Sequence, residues 1–355
     1  MRKSILLLAV VLLAGIKVKA QTTTLPFLLI PSDARAGGMG DIGVATSSDA
    51  YSLYHNPSKI AFNESQLGAG VSYVPWLRNL TDDIFAGNLS LVNRFSQKSA
   101  WGVDIKYFSL GQIDLTDEQG NLTGTINPNE FSISGYYSMK LSEAFSMGVG
   151  LKFLNSDLDV SNQNGFDVVR GFGVDISGYY QSTEENYGNF NGRYRLGFNI
   201  ANIGPKVEYV AGEPNFIPTN LKLGGGFDFI LDDYNNIGVN LEFRKLLVPA
   251  DANSEDGWFD GMFTSFTDSQ ELKEVVWSLG AEYLYNDAFA VRAGYFHESE
   301  EEGNRQYLTL GAGFQAKAFS LDLSYLINTS DVNNPLESTL RFSLAFDLGT
   351  IYEDY

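Results

Sequence analysis

Histidine and cysteine are the side chains that most readily act as bases, nucleophiles and metal ligands near neutral pH. This chain of 355 residues carries two histidines and no cysteine. Thiol nucleophiles and cysteine or multi-histidine metal sites are therefore excluded. A Ser-His-acid arrangement would have to use His55 or His297. His297 stands beside the acidic run Glu298-Ser299-Glu300-Glu301-Glu302, which either orients its imidazole or leaves it a rim histidine in a solvated loop. His55 precedes Asn56-Pro57 and reads as a packed or hydrogen-bonded turn residue. The run from Gly37 to Gly43, GGMGDIG, has the glycine content of a phosphate loop, but no strand precedes it and no Lys-Ser/Thr follows. Gly224, Gly225 and Gly226 fall inside a strand pattern and read as a kink or a close backbone approach. Asp251, Glu255, Asp256 and Asp260 lack the spacing of an EF-hand or a nonapeptide repeat and read as a solvated loop. The expectation is a protein with no catalytic residues, no metal and no cofactor.

The elements that would position any site alternate with a period of two from about Leu67 onward. In LRFSLAFDL, Leu340, Phe342, Leu344, Phe346 and Leu348 share one face, and Arg341, Ser343, Ala345 and Asp347 share the other. Fourteen such segments are predicted, near 67–77, 83–95, 99–109, 130–141, 145–155, 167–180, 192–202, 219–231, 235–246, 274–285, 287–297, 305–316, 319–327 and 340–348. Each is long enough to cross a membrane when tilted. Their connections sort by parity. Even-numbered ones such as Ser96–Ser99, Leu141–Ala144 and Tyr285–Ala288 are tight, whereas odd-numbered ones such as Gly111–Asn129, Ile203–Pro218 and Leu247–Lys273 are long. A β-sandwich has no reason to sort its loops in this way; an outer-membrane barrel does. The fold class expected is all-β, a fourteen-stranded antiparallel transmembrane barrel, integral to a bacterial outer membrane, with both termini periplasmic and the long loops at the cell surface.

Charged residues opposite the apolar stripe (Asp104, Lys106, Arg170, Asp175, Arg195, Lys222, Asp228, Glu242, Arg244, Glu282, Arg292, Asp322, Arg341 and Asp347) are expected in the lumen, because each would cost several kcal/mol in lipid. Tyr73, Trp76, Tyr107, Tyr136, Tyr137, Tyr179, Tyr180, Tyr283 and Tyr285 suit aromatic girdles. No contiguous apolar patch is evident on the inward face. The start of the chain reads as an export signal, with Arg2 and Lys3 before the twelve-residue apolar run Ile5–Ile16 and cleavage expected before Gln21. Losing the signal's four cations would take the formal charge from −19 to −23, which disfavours nucleic acid as a partner. The long loop Leu247–Lys273 holds Trp258, Phe259, Met262, Phe263 and Phe266. These five either fold back into the mouth as a plug or short helix, or form a docking surface for another protein.

The segment before the first strand carries a resemblance. Ala34-Arg35-Ala36-Gly37-Gly38-Met39-Gly40, then Asp49-Ala50 and Asn56-Pro57, resemble the N-terminal hatch of the FadL-like family of outer-membrane barrels, in which a small-residue loop, a short helix and an Asn-Pro turn lead from the periplasm into the first strand. Across the mature chain the likeness is to the PorV branch of that family, which serves the type IX secretion system of Bacteroidetes. The resemblance implies a signal over 1–20, a hatch or plug over 21–64 that includes Arg35, Gly37, Gly38, Met39, Gly40, Asp49, Asn56 and Pro57, and a barrel over 65–355. Within the hatch, Ser47–Tyr54 should be a short capped helix. It further implies a non-enzymatic partner of the translocon SprA that accepts cargo by its C-terminal signal domain and passes it to an attachment complex containing the sortase PorU. The other function open to such a barrel is transport of hydrophobic solutes. Ser58-Lys59 replaces the Pro-Ala-Gly-like continuation common in those transporters.

Overall fold

The computed structural model describes residues 21, 23–77, 81, 83–158, 168–250, 256–267, 273–316, 318–330 and 339–352. The export signal over 1–20 and the acidic residues Asp251 and Glu255 lie outside them. Fourteen wall strands follow in chain order: β1 (Ser65–Pro75), β2 (Ile84–Arg94), β3 (Ser99–Leu110), β4 (Asn129–Lys140), β5 (Phe145–Asp157), β6 (Val169–Gln181), β7 (Asn191–Ile203), β8 (Asn220–Ile230), β9 (Asn235–Leu246), β10 (Val276–Tyr285), β11 (Phe289–His297), β12 (Gln306–Ala316), β13 (Phe319–Asn328) and β14 (Leu340–Ile351). Each pairs antiparallel with its sequence neighbours, and β14 returns to β1, with Gly68 opposite Asp347 and Tyr73 opposite Phe342. The ring is closed, so no wall edge is left for lipid to meet. A two-residue strand, Glu185–Asn186, adds to β7, and two small hairpins, Ile113–Thr116 with Leu122–Ile126 and Val207–Glu208 with Pro214–Asn215, rise from the third and seventh connections.

Alternation sorts the two faces as the period-two pattern predicts. On β14, Leu340, Phe342, Phe346 and Leu348 are exposed, whereas Arg341, Ser343 and Ala345 are buried. Asp104, Lys106, Asp175, Arg195, Lys222, Asp228, Glu242, Arg292, Asp322 and Arg341 are likewise buried inside the ring. Arg170 is a correction: it is exposed and shares the parity of the outward Phe172, Val174 and Ile176, so it cannot face the same way as Asp175. Tyr136 and Tyr179 are corrections of the same kind. Their neighbours Tyr137 and Tyr180 take the outward parity, and Tyr136 and Tyr179 turn into the lumen at 5% and 0% exposure.

Residues 23–63 lie inside the ring, and the wall has lost side chains where they touch it. A Cβ on Gly197 would come within 2.2 Å of the Val44 carbonyl oxygen, one on Gly224 within 2.4 Å of the Val44 side chain, and one on Gly294 within 2.2 Å of the Met39 carbonyl carbon. Gly280 and Gly311 are approached as closely by Met39 and Gly38. These glycines are inward positions where a segment of main chain leans directly on the sheet.

The direction of the segment differs from expectation. Its first described residue is at the long-connection end, where Gln21 Nε2 donates to the Val248 carbonyl at 2.7 Å and to Glu274 Oε2 at 3.1 Å. Its last residues are at the short-turn end, where the Tyr352 N–H donates to the Glu64 carbonyl at 2.7 Å. Residues 21 and 352 therefore sit at opposite ends of the barrel, not at one. The segment runs its length in the reverse direction to β1, because β1 must start at the short-turn end.

A second correction concerns the inward face, which does carry an apolar patch. Near the long-connection end Val74, Ala86, Phe108, Leu154, Val169 and Ile217 form a collar around Leu25, Phe27, Leu28 and Ile30. The wall contributors come from five separate strands and a loop, so no single strand announces them. We predict that Gly294→Val, which drives a Cβ and its two methyl groups into the Met39–Gly40 backbone, destabilises the protein by about 1–3 kcal/mol. The check is a lower midpoint for loss of the heat-modifiable band on gels in detergent.

Candidate functional site: a polar segment locked in the lumen and an aromatic helix at the mouth

Local sequence explains how the inner segment folds. Asp33 caps a single helical turn, α1 (Ala34–Gly37), by accepting from the Ala36 N–H at 2.7 Å. Gly40 then takes φ +73°, where its Cβ would strike the Tyr295 backbone, so only glycine makes this turn. The expected helix over Ser47–Tyr54 is shorter than read from sequence: α2 spans Ser52–His55, and Asp49 is spent accepting from the Tyr51 N–H at 2.9 Å. Asn56 ends α2 with an extended backbone and accepts from the Ser58 N–H at 3.1 Å while Pro57 opens a 3-10 turn, Pro57–Phe62.

Three polar nodes tie this segment to the wall. In the first, Arg35 donates to Glu282 at 2.9 Å and 3.1 Å, to Asp49 at 2.8 Å and to Ser47 Oγ at 2.7 Å. Glu282 also receives Arg292 at 2.5 Å, and Arg292 reaches Asp322 at 2.6 Å, so five charges alternate in sign across β10, β11 and β13. In the second, Asp41 is paired with Arg341 and receives the Tyr307 hydroxyl at 2.6 Å, while Arg244 donates to the Asp41 carbonyl. Burial alone would raise the Asp41 carboxyl, but Arg341, Arg244 and the Tyr307 hydroxyl together outweigh it and hold the group below the usual carboxylate range. Glu242 completes this node by accepting from the Gly43 and Val44 N–H groups, both at 2.8 Å.

The third node joins Asp33, His55, Asn56 and Lys59. His55 Nε2 meets Asp33 Oδ2 at 2.7 Å, and its Nδ1 is buried without a partner. Burial holds the imidazole below its ordinary value. Lys59 donates to the Gly43 carbonyl and to Thr46 Oγ1, both at 2.9 Å, and burial lowers its ammonium to about 8. Asn56 Nδ2 spans the Val44 carbonyl at 2.8 Å and the Gly178 carbonyl of β6 at 3.0 Å. Among the described residues, no hydroxyl is hydrogen-bonded to the His55 ring.

The residues read from sequence are thus brought together unevenly. Arg35, Asp49 and Asn56 make polar ties. Gly37, Gly38, Met39 and Gly40 supply close packing, and Pro57 contributes its carbonyl to Ser138 Oγ at 2.7 Å. Asp33, Asp41 and Lys59 matter as much, and nothing local marks them: Asp41 meets Arg341 300 positions away, and Asp33 and Lys59 meet His55, Gly43 and Thr46 only once the segment has folded back on itself. His297 takes part in none of this. It sits on the outward face, 5.2 Å from the Trp277 ring, and Glu298 pairs instead with Arg305 at 2.7 Å.

At the long-connection end the aromatic loop forms α3 (Trp258–Thr264). Gly261 packs it on Phe216 and Pro249, where a Cβ would meet Phe216 at 2.8 Å. Phe263 is 61% exposed, Phe259 55%, Phe266 46% and Trp258 39%, with Met262 half-buried. Phe259 lies 5.7 Å from Trp258 and 5.3 Å from Phe263, so three rings make one continuous patch. The loop is a short helix whose aromatics are largely exposed, with Phe266 5.6 Å from the Lys245 ammonium of β9.

A closed fourteen-strand ring with an apolar outer face and a filled polar interior defines an integral outer-membrane β-barrel of the FadL-like fold. Solved structures agree on the fold. The toluene transporter TbuX of Ralstonia pickettii matches with a TM-score of 0.51 at 14% identity, over 90% of this chain and 98% of its own. The monoaromatic hydrocarbon channel CymD matches at 0.52 and 14%, over 92% and 98%. No curated protein matches the chain. The family model for the type IX secretion system protein PorV matches residues 15–253, more than half of the sequence, and the chain belongs to that family. It is an outer-membrane component of type IX secretion.

The first node generates a prediction. Arg35→Ala leaves Asp49 and Glu282 facing each other inside the lumen, with only Arg292 left to Glu282. The expected cost is about 3 kcal/mol, the low end for breaking a buried pair, read as an earlier thermal midpoint in detergent. Arg35→Lys, which cannot span both carboxylates with a planar fork, should recover only part of it.

Proposed function

We propose that the protein is a non-enzymatic docking component. In this reading it holds exported proteins by their C-terminal signal domain, associates with the translocon SprA, and delivers cargo to an attachment complex containing the sortase PorU. The long connections face the cell surface and the short turns face the periplasm. The observation that carries the reading is the exposed ring cluster of α3, seated at the mouth of a lumen whose interior is occupied by ion-paired polypeptide. Exposed aromatics beside a rigid frame suit protein recognition, and a lumen crossed by buried ion pairs suits a solute path poorly. Residues 21–64 act here as a plug: its charges are matched by the wall, so it fills the hole left by fourteen strands. The other reading, a transporter of hydrophobic solutes, draws support from the fold and from the apolar collar, though that collar is occupied by the chain's own Leu25, Phe27, Leu28 and Ile30.

Replacing Trp258, Phe259, Phe263 and Phe266 together with serine should reduce the exported proteins recovered with this chain from native outer membrane at least tenfold. The barrel should stay heat-modifiable, because these side chains contribute little to its packing. Undiminished recovery would sink the docking surface. Uptake of a single aromatic hydrocarbon that depends on this chain would favour the transporter.

A further inference from the structure

The inner segment is held in two different ways. From Asp33 to Asn63 it is fixed by buried polar groups, and withdrawing it would strip Arg341 of Asp41, Glu282 of Arg35 and Glu242 of the Gly43 and Val44 N–H groups. From Thr24 to Ile30 it carries no charged side chain and is gripped by the collar alone. Its polar ties there are few and lie at its two ends. The Thr24 N–H and Oγ1 donate to the Phe216 carbonyl at 2.9 Å and 3.0 Å, and Lys106 Nζ donates to the Ile30 carbonyl. Lys106 would keep the Tyr54 ring, 4.3 Å away, if that carbonyl left. Between those ends the chain makes a single 3-10 turn, Pro26–Leu29, so the site holds a short compact turn by its apolar side chains and ties its flanks through main-chain groups and one hydroxyl. Leu25 holds φ +56°, a left-handed conformation that an L side chain rarely adopts and that would relax on release.

We infer that the collar is a peptide-binding site at the long-connection mouth, filled in cis by residues 24–30 and open to a short apolar segment of a partner protein that displaces them. A peptide is favoured over a hydrocarbon because the resident occupant is a peptide recognised partly by its carbonyls and N–H groups. The chain's own segment then acts as a competitor that any incoming segment must outbid, which lowers apparent affinity by the fraction of time the collar is free. The inference stands on the collar and not on α3: loss of one would leave the other intact.

The probe is a fluorescent synthetic peptide of residues 23–32, TTLPFLLIPS, offered to the full chain in detergent and followed by anisotropy. In the double variant Phe27→Asp, Leu28→Asp the resident segment is expelled, and the peptide should bind at least tenfold more tightly than to the unaltered chain. A peptide bearing the same two aspartates should lose that binding. Since the sequence has no cysteine, a Thr24→Cys, Phe216→Cys pair offers a clean lock: the oxidised protein should take no peptide at concentrations that label the reduced form. A heat-modifiable double variant that binds no more peptide than the unaltered chain would overturn the inference. So would a locked protein that binds as well as its reduced form, and that arm needs no destabilised variant.

Discussion

Closing fourteen strands satisfies every main-chain group of the wall, yet it encloses a hole wider than the wall's own side chains can fill. Nearly every other feature answers that constraint. The N-terminal segment supplies the missing volume, and the wall accepts it by giving up side chains at Gly197, Gly224, Gly280, Gly294 and Gly311. Main chain leaning on sheet brings its own requirement, since carbonyl and N–H groups enter a space with little water. Inward serines, asparagines and carboxylates meet them: Ser146 donates to the Ser58 carbonyl at 2.7 Å, and Ser343 accepts from the Ala34 N–H at 2.7 Å.

The electrostatics follow from the same packing. A charge enclosed in the ring is costly unless it is matched, and breaking a match costs more than never having made it. Signs accordingly alternate from Asp49 through Arg35, Glu282 and Arg292 to Asp322. These groups specify one seating of the segment, because sliding it by a residue would set Arg35 away from Glu282 and Asp41 away from Arg341. The collar at the mouth lacks such pairs, so the two parts of the segment differ in how firmly their position is determined.

The wall was legible in the sequence because a period of two over about ten residues is a strong signal, and all fourteen strands fall within a few residues of their predicted bounds. Parity errors arise where two aromatics adjoin, as at Tyr136-Tyr137 and Tyr179-Tyr180, since residue type there suits either face, and at Arg170, whose charge hides its outward parity at the strand's end. The lumen was legible in composition but not in pairing. Asp41 and Arg341 are 300 positions apart and meet only once the ring has closed. The collar was hidden for a related reason: Val74, Ala86, Phe108, Leu154 and Val169 each look like an ordinary end of a strand. Leu25–Ile30 is the one stretch that could have revealed it, as an apolar run outside the signal and outside every strand. The direction of the segment was misread because a resemblance fixes which residues touch, not from which mouth the chain arrives.

The inner segment also bears on how the ring is held shut. Tyr51 Oη lies 2.8 Å from the Val71 carbonyl of β1 and 2.8 Å from the Leu344 carbonyl of β14, bridging the first strand and the last. The seam between those strands thus carries a clasp from inside the lumen besides its own ladder, so the segment that fills the hole also buttons the wall around it.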